Sequence, residues 1–582
     1  MERRVKIVCT IGPACWDYDT LSKLAEKGMN VARLNFSHGD HESHGRTLKN
    51  VRAVEQELQS PIALLLDTKG PEIRTGELAG HGSVTLKAGD RFTLFFEKKA
   101  GDEKGVSIDY PPLAREVGKG QSIFIDDGAI NLEVEECSDE GVVCRVIVGG
   151  ELGERKGVNV PGADLSVPTL TEKDIADLRW GAANSVDYVA VSFVRSKEDI
   201  IEVRRILEAE GASAKIIAKM ETRQSVENID EILEVVDGMM VARGDLGVEM
   251  NAEDVPMVQK EIIEKCRIQG KPVIVATQML DSMIRSPRPT RAEANDVANA
   301  VIDGADAVML SGETANGIYP AESVEMMNRI IVRTEKDSEL WQRRPCAPAA
   351  AADTADAVSH AARGVAQEVG AAAIVSLTTS GGTARMVAKY RPPCPIIAMT
   401  PSLSTWRQLS LVWGVEPAIC PFASDLEQSV NNAITLIKKE QFVESGDNVV
   451  ITSGVPLGEP GSTNMLNVFR IAGIVGKGLS LVRRSVTAEV CRAETPEEAL
   501  KKIGENKILV IRKSKKEFIP AIERAAAVIT EEGGLTSHAG VTSLNRGIPC
   551  ITGVADVMDK VKDGMTLTVD GVHGVIYAGR AG

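Results

Sequence analysis

No apolar run in this sequence approaches the length needed to cross a bilayer, so no membrane partner is expected. The opening residues, Met1-Glu2-Arg3-Arg4-Val5, lack the apolar core of a secretory signal. Ten cysteines occur, none in C-x-x-C or another metal-binding spacing, which argues for reduced thiols rather than disulfides or zinc. Positive charge is in deficit. A net charge of −15 argues against non-specific nucleic-acid binding and for a cytoplasmic protein, and it leaves any anionic substrate in need of a locally positive site. The rest of the composition is ordinary for a globular chain, 43% hydrophobic and 26% charged. The 582 residues exceed single-domain size and predict several domains.

The most informative stretch is Ala214–Glu249. Two apolar runs, Ile216–Ala218 and Gly238–Ala242, read as buried strands, and a helical pattern (Val226, Ile229, Ile232, Leu233, Val236) lies between them, which makes a parallel βαβ unit. Each run ends in charge, Lys219 and Glu221 after the first, Arg243 and Asp245 after the second. Residues two apart on a strand share a face. Each pair is therefore expected to point one way, bringing two carboxylates, an ammonium and a guanidinium to one rim. Carboxylates beside substrate phosphates suit Mg²⁺, and a lysine there stabilises negative charge developing during reaction. The alternative is a surface salt-bridge cluster.

Further strands are expected at Val5–Ile11, Val31–Leu34, Ile62–Leu66, Tyr188–Phe193, Lys215–Lys219, Val273–Thr277 and Ala307–Leu310, which with Gly238–Ala242 makes eight βα units, the count of a (β/α)8 TIM barrel. Chemistry in such barrels sits at the C-terminal strand ends. Those ends carry Arg33, Asn35, Asp67, Phe193, Lys219, Glu221, Arg243, Asp245, Thr277 and Glu313. Between the third and fourth units the helical rhythm gives way to short alternating pieces separated by Gly, Asp and Lys, the mark of an inserted β domain. The expected domains are a barrel over 1–70 and 169–343, an inserted β domain over 71–168, an α/β domain over 354–477 after an Arg343–Asp353 linker, and a small α/β unit over 485–582.

In the third of these, Thr378-Thr379-Ser380-Gly381-Gly382-Thr383 joins a strand to a helix. It reads either as a phosphate cradle or as a helix-capping turn. It lacks the Gly-Lys-Ser/Thr ending of a P-loop. In the fourth, Gly533-Gly534-Leu535-Thr536-Ser537 precedes His538, a candidate phosphoryl acceptor or a structural histidine.

The stretches Cys9–Pro13, A-R-L-N-F-S-H-G, L-D-T-K-G-P-E-I-R-T-G, K-G-V-N-V-P-G, A-K-M-E-T, M-V-A-R-G-D-L-G-V-E, A-T-Q-M-L-D-S-M and M-L-S-G-E-T-A, in that order, resemble the pyruvate kinase family. The resemblance covers about Arg4 to Lys477. The tail is similar to the swivelling phosphohistidine domain of phosphoenolpyruvate-utilising enzymes, which some bacterial members carry. The resemblance implies phosphoryl transfer from phosphoenolpyruvate to ADP, giving pyruvate and ATP. It implies that Glu221 and Asp245 hold Mg²⁺, that Lys219 stabilises the transition state, and that Arg33, Gly244, Asp245 and Thr277 contact substrate. It assigns Asn35, Ser37, Asp67 and Thr68 to K⁺, and Arg74, Lys156 and Asn35 to the nucleotide. Glu72 stands where glutamate accompanies a K⁺ requirement, and the inserted domain is a lid. The proton donor to the enolate stays open, with Thr277 suspected. The Thr378–Thr383 loop matches an allosteric phosphate site, but Thr379 and Gly382 stand where the fructose-bisphosphate-activated animal pattern has Lys and Arg. Ser453–Gly458 lacks that pattern's Trp and Arg as well. The implied effector is AMP or a sugar monophosphate rather than fructose 1,6-bisphosphate, and the implied assembly a homotetramer. Two rival readings are a dikinase using His538 as carrier, for which no nucleotide-grasp domain remains in the chain, and a degenerate barrel kept as a scaffold, against which Lys219, Glu221, Asp245 and Thr277 stand.

Overall fold

The structure, a computed structural model, describes residues 3–163, 165–337, 353–423, 425–456, 461, 463–471, 473–504 and 506–579. Apart from Asp353, the linker expected over Arg343–Asp353 lies outside the described residues. The chain separates into two compact units, one of Met1–His360, Thr378–Ile419 and Gly458–Gly461, the other of Ala361–Leu377, Cys420–Leu457 and Ser462–Gly582. Among the described residues no helix is long and apolar enough to cross a membrane.

The first unit is built on eight parallel strands: β1 (Lys6–Thr10), β2 (Val31–Asn35), β3 (Ala63–Asp67), β4 (Tyr188–Val191), β5 (Lys215–Met220), β6 (Gly238–Ala242), β7 (Val273–Ala276) and β8 (Ala307–Leu310). They close in the order β1-β8-β7-β6-β5-β4-β3-β2. Both faces of each strand are covered, which is why the runs are continuously apolar instead of alternating. Val8, Val31, Leu65, Tyr188, Ile217, Met240, Ile274 and Met309 fill the interior. Their neighbours in sequence pack outward against the helices.

The interior is closed at the strand N-terminal ends by a segment far along the chain. Leu411, in the 3₁₀ turn Leu409–Leu411 after helix Leu403–Gln408, is fully buried among the barrel side chains. Tyr188 OH donates to Gln408 O at 2.5 Å, Lys6 Nζ to Val415 O at 2.8 Å, and Ser410 Oγ to Pro61 O at 3.3 Å. Burial lowers the Lys6 pKa to about 8.

The insertion between β3 and β4 is a six-stranded sheet in the order Val158–Asn159, Ser122–Ile125, Ile130–Ser138, Gly141–Val148, Arg91–Phe95, Gly105–Ser107. It buries its own core of Phe92, Leu94, Ile123, Leu132, Val142 and Val146. The chain leaves the barrel through Gly70, at φ +71. A Cβ there would lie 2.7 Å from the Phe193 ring and 2.9 Å from Ser192 Cβ, so only glycine fits. It returns under Arg195, which donates to Leu165 O at 2.7 Å and Val167 O at 2.6 Å.

In the first unit Ile396–Thr400 pairs in parallel with Val415–Ile419. In the second, Ala373–Leu377 pairs in parallel with Asn448–Gly454. That strand pairs antiparallel with Thr463–Arg470. The tail forms a mixed eight-stranded sheet that includes Thr566–Asp570 and Val575–Ala578. Between β5 and β6 the single expected helix is two, Arg223–Glu227 and Ile229–Val235, broken at Asn228, whose side chain donates to Arg195 O. β4 stops at Val191, because Phe193 turns out of the strand at φ +54.

Candidate active site

Three loops meet over the C-terminal strand ends, and Lys219 stands at their centre. Its Nζ lies 2.7 Å from Glu221 Oε1, 3.1 Å from Asp67 Oδ1 and 2.8 Å from Ser192 Oγ. The lysine is in β5 and the glutamate just past its end, so strand alternation does bring the pair to one face. Burial alone would strip charge from the amine. The carboxylates of Asp67 and Glu221 outweigh it and raise the pKa, so the ammonium stays charged.

Asp67, at the end of β3, is fully buried. Arg33 Nε donates to its Oδ2 at 2.6 Å, and Arg33 Nη1 reaches Thr10 Oγ1 at 2.8 Å. Burial opposes its charge, but Arg33 and Lys219 lower the pKa below the usual range. Its Oδ1 lies 3.1 Å from Lys219 Nζ and has no other donor among the described residues, so this buried anionic oxygen keeps a free coordination direction. Asn35 pairs with Asp67 in register, and Asn35 Oδ1 accepts Ser37 N at 3.1 Å. Thr68 O accepts the Ser192 hydroxyl at 2.6 Å while Thr68 Oγ1 accepts Ser192 N at 3.1 Å. Oxygen atoms of Asn35, Ser37, Asp67 and Thr68 thus gather where β2 and β3 end.

The second carboxylate arrives differently from the expectation. β6 ends at Ala242, and Arg243–Glu249 is a short helix, so Arg243 and Asp245 do not share a face. Arg243 turns away to Asp296 (2.7 Å), Thr277 O (2.7 Å) and Ala276 O (3.2 Å), and braces the loop after β7. Asp245 faces Glu221 and Lys219. Its pKa is pushed up to about 7, first by burial and then by the Glu221 carboxylate, with Lys219 pulling the other way. The two carboxylates oppose one another in charge, which a shared cation would relieve. Glu221 Oε2 also accepts Phe193 N at 2.6 Å, which fixes its orientation. Among the described residues no group of three or more His, Cys, Asp or Glu is placed to hold a metal. A pair completed by water and substrate oxygens suits Mg²⁺ rather than zinc.

Thr277 follows β7 at φ +67, a conformation rare for a β-branched residue and typical of strained functional positions. Its hydroxyl donates to Ala276 O at 2.7 Å and accepts Gly244 N at 2.9 Å. Glu313, expected at this rim, lines the same cavity as Asp245 and Thr277 while staying almost fully buried, accepting Leu280 N and Ser311 N.

Three cavities open here. One of about 950 Å³ runs past Asp245, Gly244, Thr277 and Arg243. A second, of about 660 Å³, lies between lid and barrel, with Arg74 and Lys156 on one side and Phe193, Thr222 and Asp245 on the other. Arg74 is paired with Glu72 at 2.5 Å and Lys156 with Asp126 at 3.0 Å, both partly exposed. A third, of about 480 Å³, adjoins Arg33 and Asn35 and is walled by Pro13, Trp16, His38 and His44. His38 stands inside the A-R-L-N-F-S-H-G stretch, whereas Trp16 and His44 lie outside every quoted motif, because an isolated aromatic or imidazole carries no pattern. Elsewhere, Thr378 Oγ1 accepts Gly381 N at 3.0 Å, Thr379 O accepts Thr405 Oγ1 at 2.8 Å, and Arg385 Nη1 donates to Ser380 O at 3.1 Å. Gly381 adopts φ +80 just before helix Gly382–Lys389, with Thr383 buried in its first turn. His538 is exposed at the first position of helix His538–Arg546, behind the Ser537 cap.

A closed parallel barrel with an inserted β sheet, a charged lysine between carboxylates, and an acidic pair at the strand ends fit a metal-dependent phosphotransfer enzyme. Family models agree in detail. "Pyruvate kinase, barrel domain" matches residues 2–324, "Pyruvate kinase, alpha/beta domain" residues 356–469, and "PEP-utilising enzyme, mobile domain" residues 503–574. The chain is 49% identical to the pyruvate kinase of Geobacillus stearothermophilus, covering 100% of both chains. It is 44% identical to that of Lactobacillus delbrueckii subsp. bulgaricus, covering 99% of each. A crystal structure of a pyruvate kinase from Cryptosporidium parvum aligns with TM-score 0.76 at 39% identity, over 81% of this chain and 96% of that one. The chain belongs to the pyruvate kinase family, in the form that carries a C-terminal phosphoenolpyruvate-utilising mobile domain. Its reaction is transfer of phosphoryl from phosphoenolpyruvate to ADP, giving pyruvate and ATP, with a divalent metal.

Proposed function

We propose that Lys219 is the catalytic cation of this reaction. The observation that carries the reading is its placement, charged and bound by Asp67, Glu221 and Ser192 at the barrel mouth. As the phosphoryl group leaves phosphoenolpyruvate, charge grows on its oxygens and on the enol oxygen of the departing enolate. A fixed ammonium in a site shielded from water stabilises that charge without reorganising. Glu221 and Asp245 hold Mg²⁺, which when bound neutralises phosphate charge and lines up the reacting oxygens. Asn35, Ser37, Asp67 and Thr68 hold K⁺, a reading supported by the under-coordinated Asp67 Oδ1. Arg33, Gly244, Asp245 and Thr277 orient phosphoenolpyruvate. Arg74, Lys156 and Asn35 take the nucleotide phosphates, Arg74 and Lys156 exchanging their present carboxylate partners for them. The β insertion over 71–168 closes as a lid, because water in the site competes as phosphoryl acceptor. Thr277 donates its hydroxyl hydrogen to Ala276 O, which disfavours it as direct proton donor to the enolate.

The Thr378–Thr383 loop, with Arg385 as its cation, takes AMP or a sugar monophosphate as allosteric effector. That loop sits in the α/β domain we assign to 354–477. The subunit is one of a cytoplasmic homotetramer. His538 is the site for any phosphoryl group carried by the tail over 485–582, since an exposed imidazole at a helix N-terminus favours an anion. Acid-labile ³²P from phosphoenolpyruvate, present on the wild type and lost in His538→Ala, supports that assignment, and an unlabelled wild type ends it. The main reading is tested by a lactate dehydrogenase-coupled assay with phosphoenolpyruvate and ADP, with and without MgCl₂ and KCl. The expected result is turnover that needs both salts, and turnover indifferent to them would sink the cation assignments.

A further inference from the structure

Helix Glu172–Ala183 follows the lid's return to the barrel, and its side chains line none of the three cavities described above. It nevertheless buries two carboxylates almost completely, Asp174 at 0% and Asp177 at 1% exposure. A buried carboxylate costs free energy that an apolar side chain of the same size does not. What these two carboxylates hold is therefore informative.

Asp177 holds a lysine and a histidine. Its Oδ2 accepts Lys173 Nζ at 2.6 Å, and its Oδ1 lies 2.7 Å from His41 Nε2. Fixed in this way, Lys173 Nζ donates to Phe36 O at 2.9 Å. Phe36 is itself locked. Its amide donates to Asp67 O at 2.9 Å, and its ring stacks on His44 at 4.2 Å and meets Trp180 at 5.3 Å. Asp174 holds the neighbouring loop. Its Oδ2 closes the helix cap through Thr171 N and Oγ1, and its Oδ1 accepts Gly70 N at 3.1 Å. One helix therefore grips both loops at the tops of β2 and β3, at the peptide between Asn35 and Ser37 and just beyond Asp67 and Thr68.

We infer that Lys173, Asp174 and Asp177 are positioning residues for the monovalent cation: through the Phe36 carbonyl and the Gly70 amide they set the spacing of the oxygens of Asn35, Ser37, Asp67 and Thr68. The inference rests on the cation reading above. None of the three side chains touches substrate or the reacting atoms. Their effect falls on a site whose affinity depends on several oxygens holding one spacing, whereas the Glu221–Asp245 pair hangs from β5 and the helix after β6.

The test is a KCl titration of full-length enzyme read two ways, by the rise in thermal unfolding midpoint without substrates and by the coupled assay, the two half-effect concentrations being expected to move together, with tetramethylammonium chloride keeping ionic strength constant and circular dichroism confirming the fold. Losing a charge-assisted hydrogen bond of this kind costs enough for about a tenfold change. In Lys173→Met the KCl concentration for half-activation rises about tenfold, while kcat at saturating KCl and the KM for phosphoenolpyruvate stay within about threefold. Lys173→Arg, which keeps a donor, restores the wild-type value. Asp177→Asn, which keeps the shape and removes the charge, shifts half-activation the same way and serves if the methionine variant does not fold. Unchanged half-activation in Lys173→Met and Asp177→Asn overturns the proposal, as does a fall in kcat with no shift in half-activation. A wild type indifferent to KCl removes the cation site itself, and the proposal with it.

Discussion

At the scale of single residues the site is governed by charges that balance only when complete. Lys219 stays protonated because Asp67 and Glu221 face it, and its removal leaves both carboxylates opposed by fewer cations. Lys219→Met should lower kcat by about three orders of magnitude or more, with far smaller effects on the KM values, because the interaction strengthens in the transition state. Coupled-assay kinetics on folded protein check this, and near-normal turnover would refute the role. Asp245 gives a pH signature. Its folded pKa of about 7 stands above the ordinary 3.8, so between about pH 4 and 7 the folded state keeps a proton that the unfolded chain has lost. In metal-free protein this carboxyl therefore erodes stability as pH rises through that window, and the loss is complete above it. Asp245→Asn should unfold at the wild-type temperature near pH 4 and at a higher temperature above pH 7.5. Thermal scans in chelator at both pH values measure the difference, and a gap independent of pH would contradict the charge conflict. Saturating Mg²⁺ should reverse the order, since only the wild type keeps the anionic ligand.

At the scale of elements, the catalytic ends of the strands are held by groups remote in sequence. The turn Leu409–Leu411 closes the barrel floor, and Leu411 is buried on all sides. Leu411→Ala removes three carbon atoms from a packed layer and leaves a cavity, at a cost of about 2–4 kcal/mol. Denaturant unfolding followed by tryptophan fluorescence should show the barrel transition moved to lower concentration. Turnover at 25 °C should stay within a few-fold of wild type, because the floor is a barrel's length from the chemistry. A midpoint that does not move would mean the layer collapses around the gap. Strand periodicity foresaw the barrel elements closely, since hydrophobic runs buried on both faces leave little freedom in register. It failed past the strand ends. Arg243 and Asp245 were read by alternation, but β6 stops at Ala242 and a helix turn sends the arginine to Asp296 and the aspartate to Glu221.

At the scale of the molecule, we expect light scattering to give a mass near four times the 62.3 kDa chain, and a monomer at micromolar concentration would exclude the tetramer. The sequence by itself determined the barrel, the β insertion, the α/β elements and the identity of the charged residues at the strand ends, because repeated local patterns dictate secondary structure and chain order dictates which ends coincide. Motif resemblance supplied the remaining roles proposed for numbered positions. Only the tertiary structure decided which charges meet: that Asp67 joins Lys219 and Arg33, that Thr277 spends its hydroxyl on Gly244 and Ala276, that Trp16, His38 and His44 wall a cavity, and that one helix binds both loops beside Asn35 and Asp67. Apart from the Thr277–Ala276 bond, these contacts join residues tens of positions or more apart. No local pattern records them, because electrostatic pairing depends on distance in space and burial, and those exist only once the chain has closed.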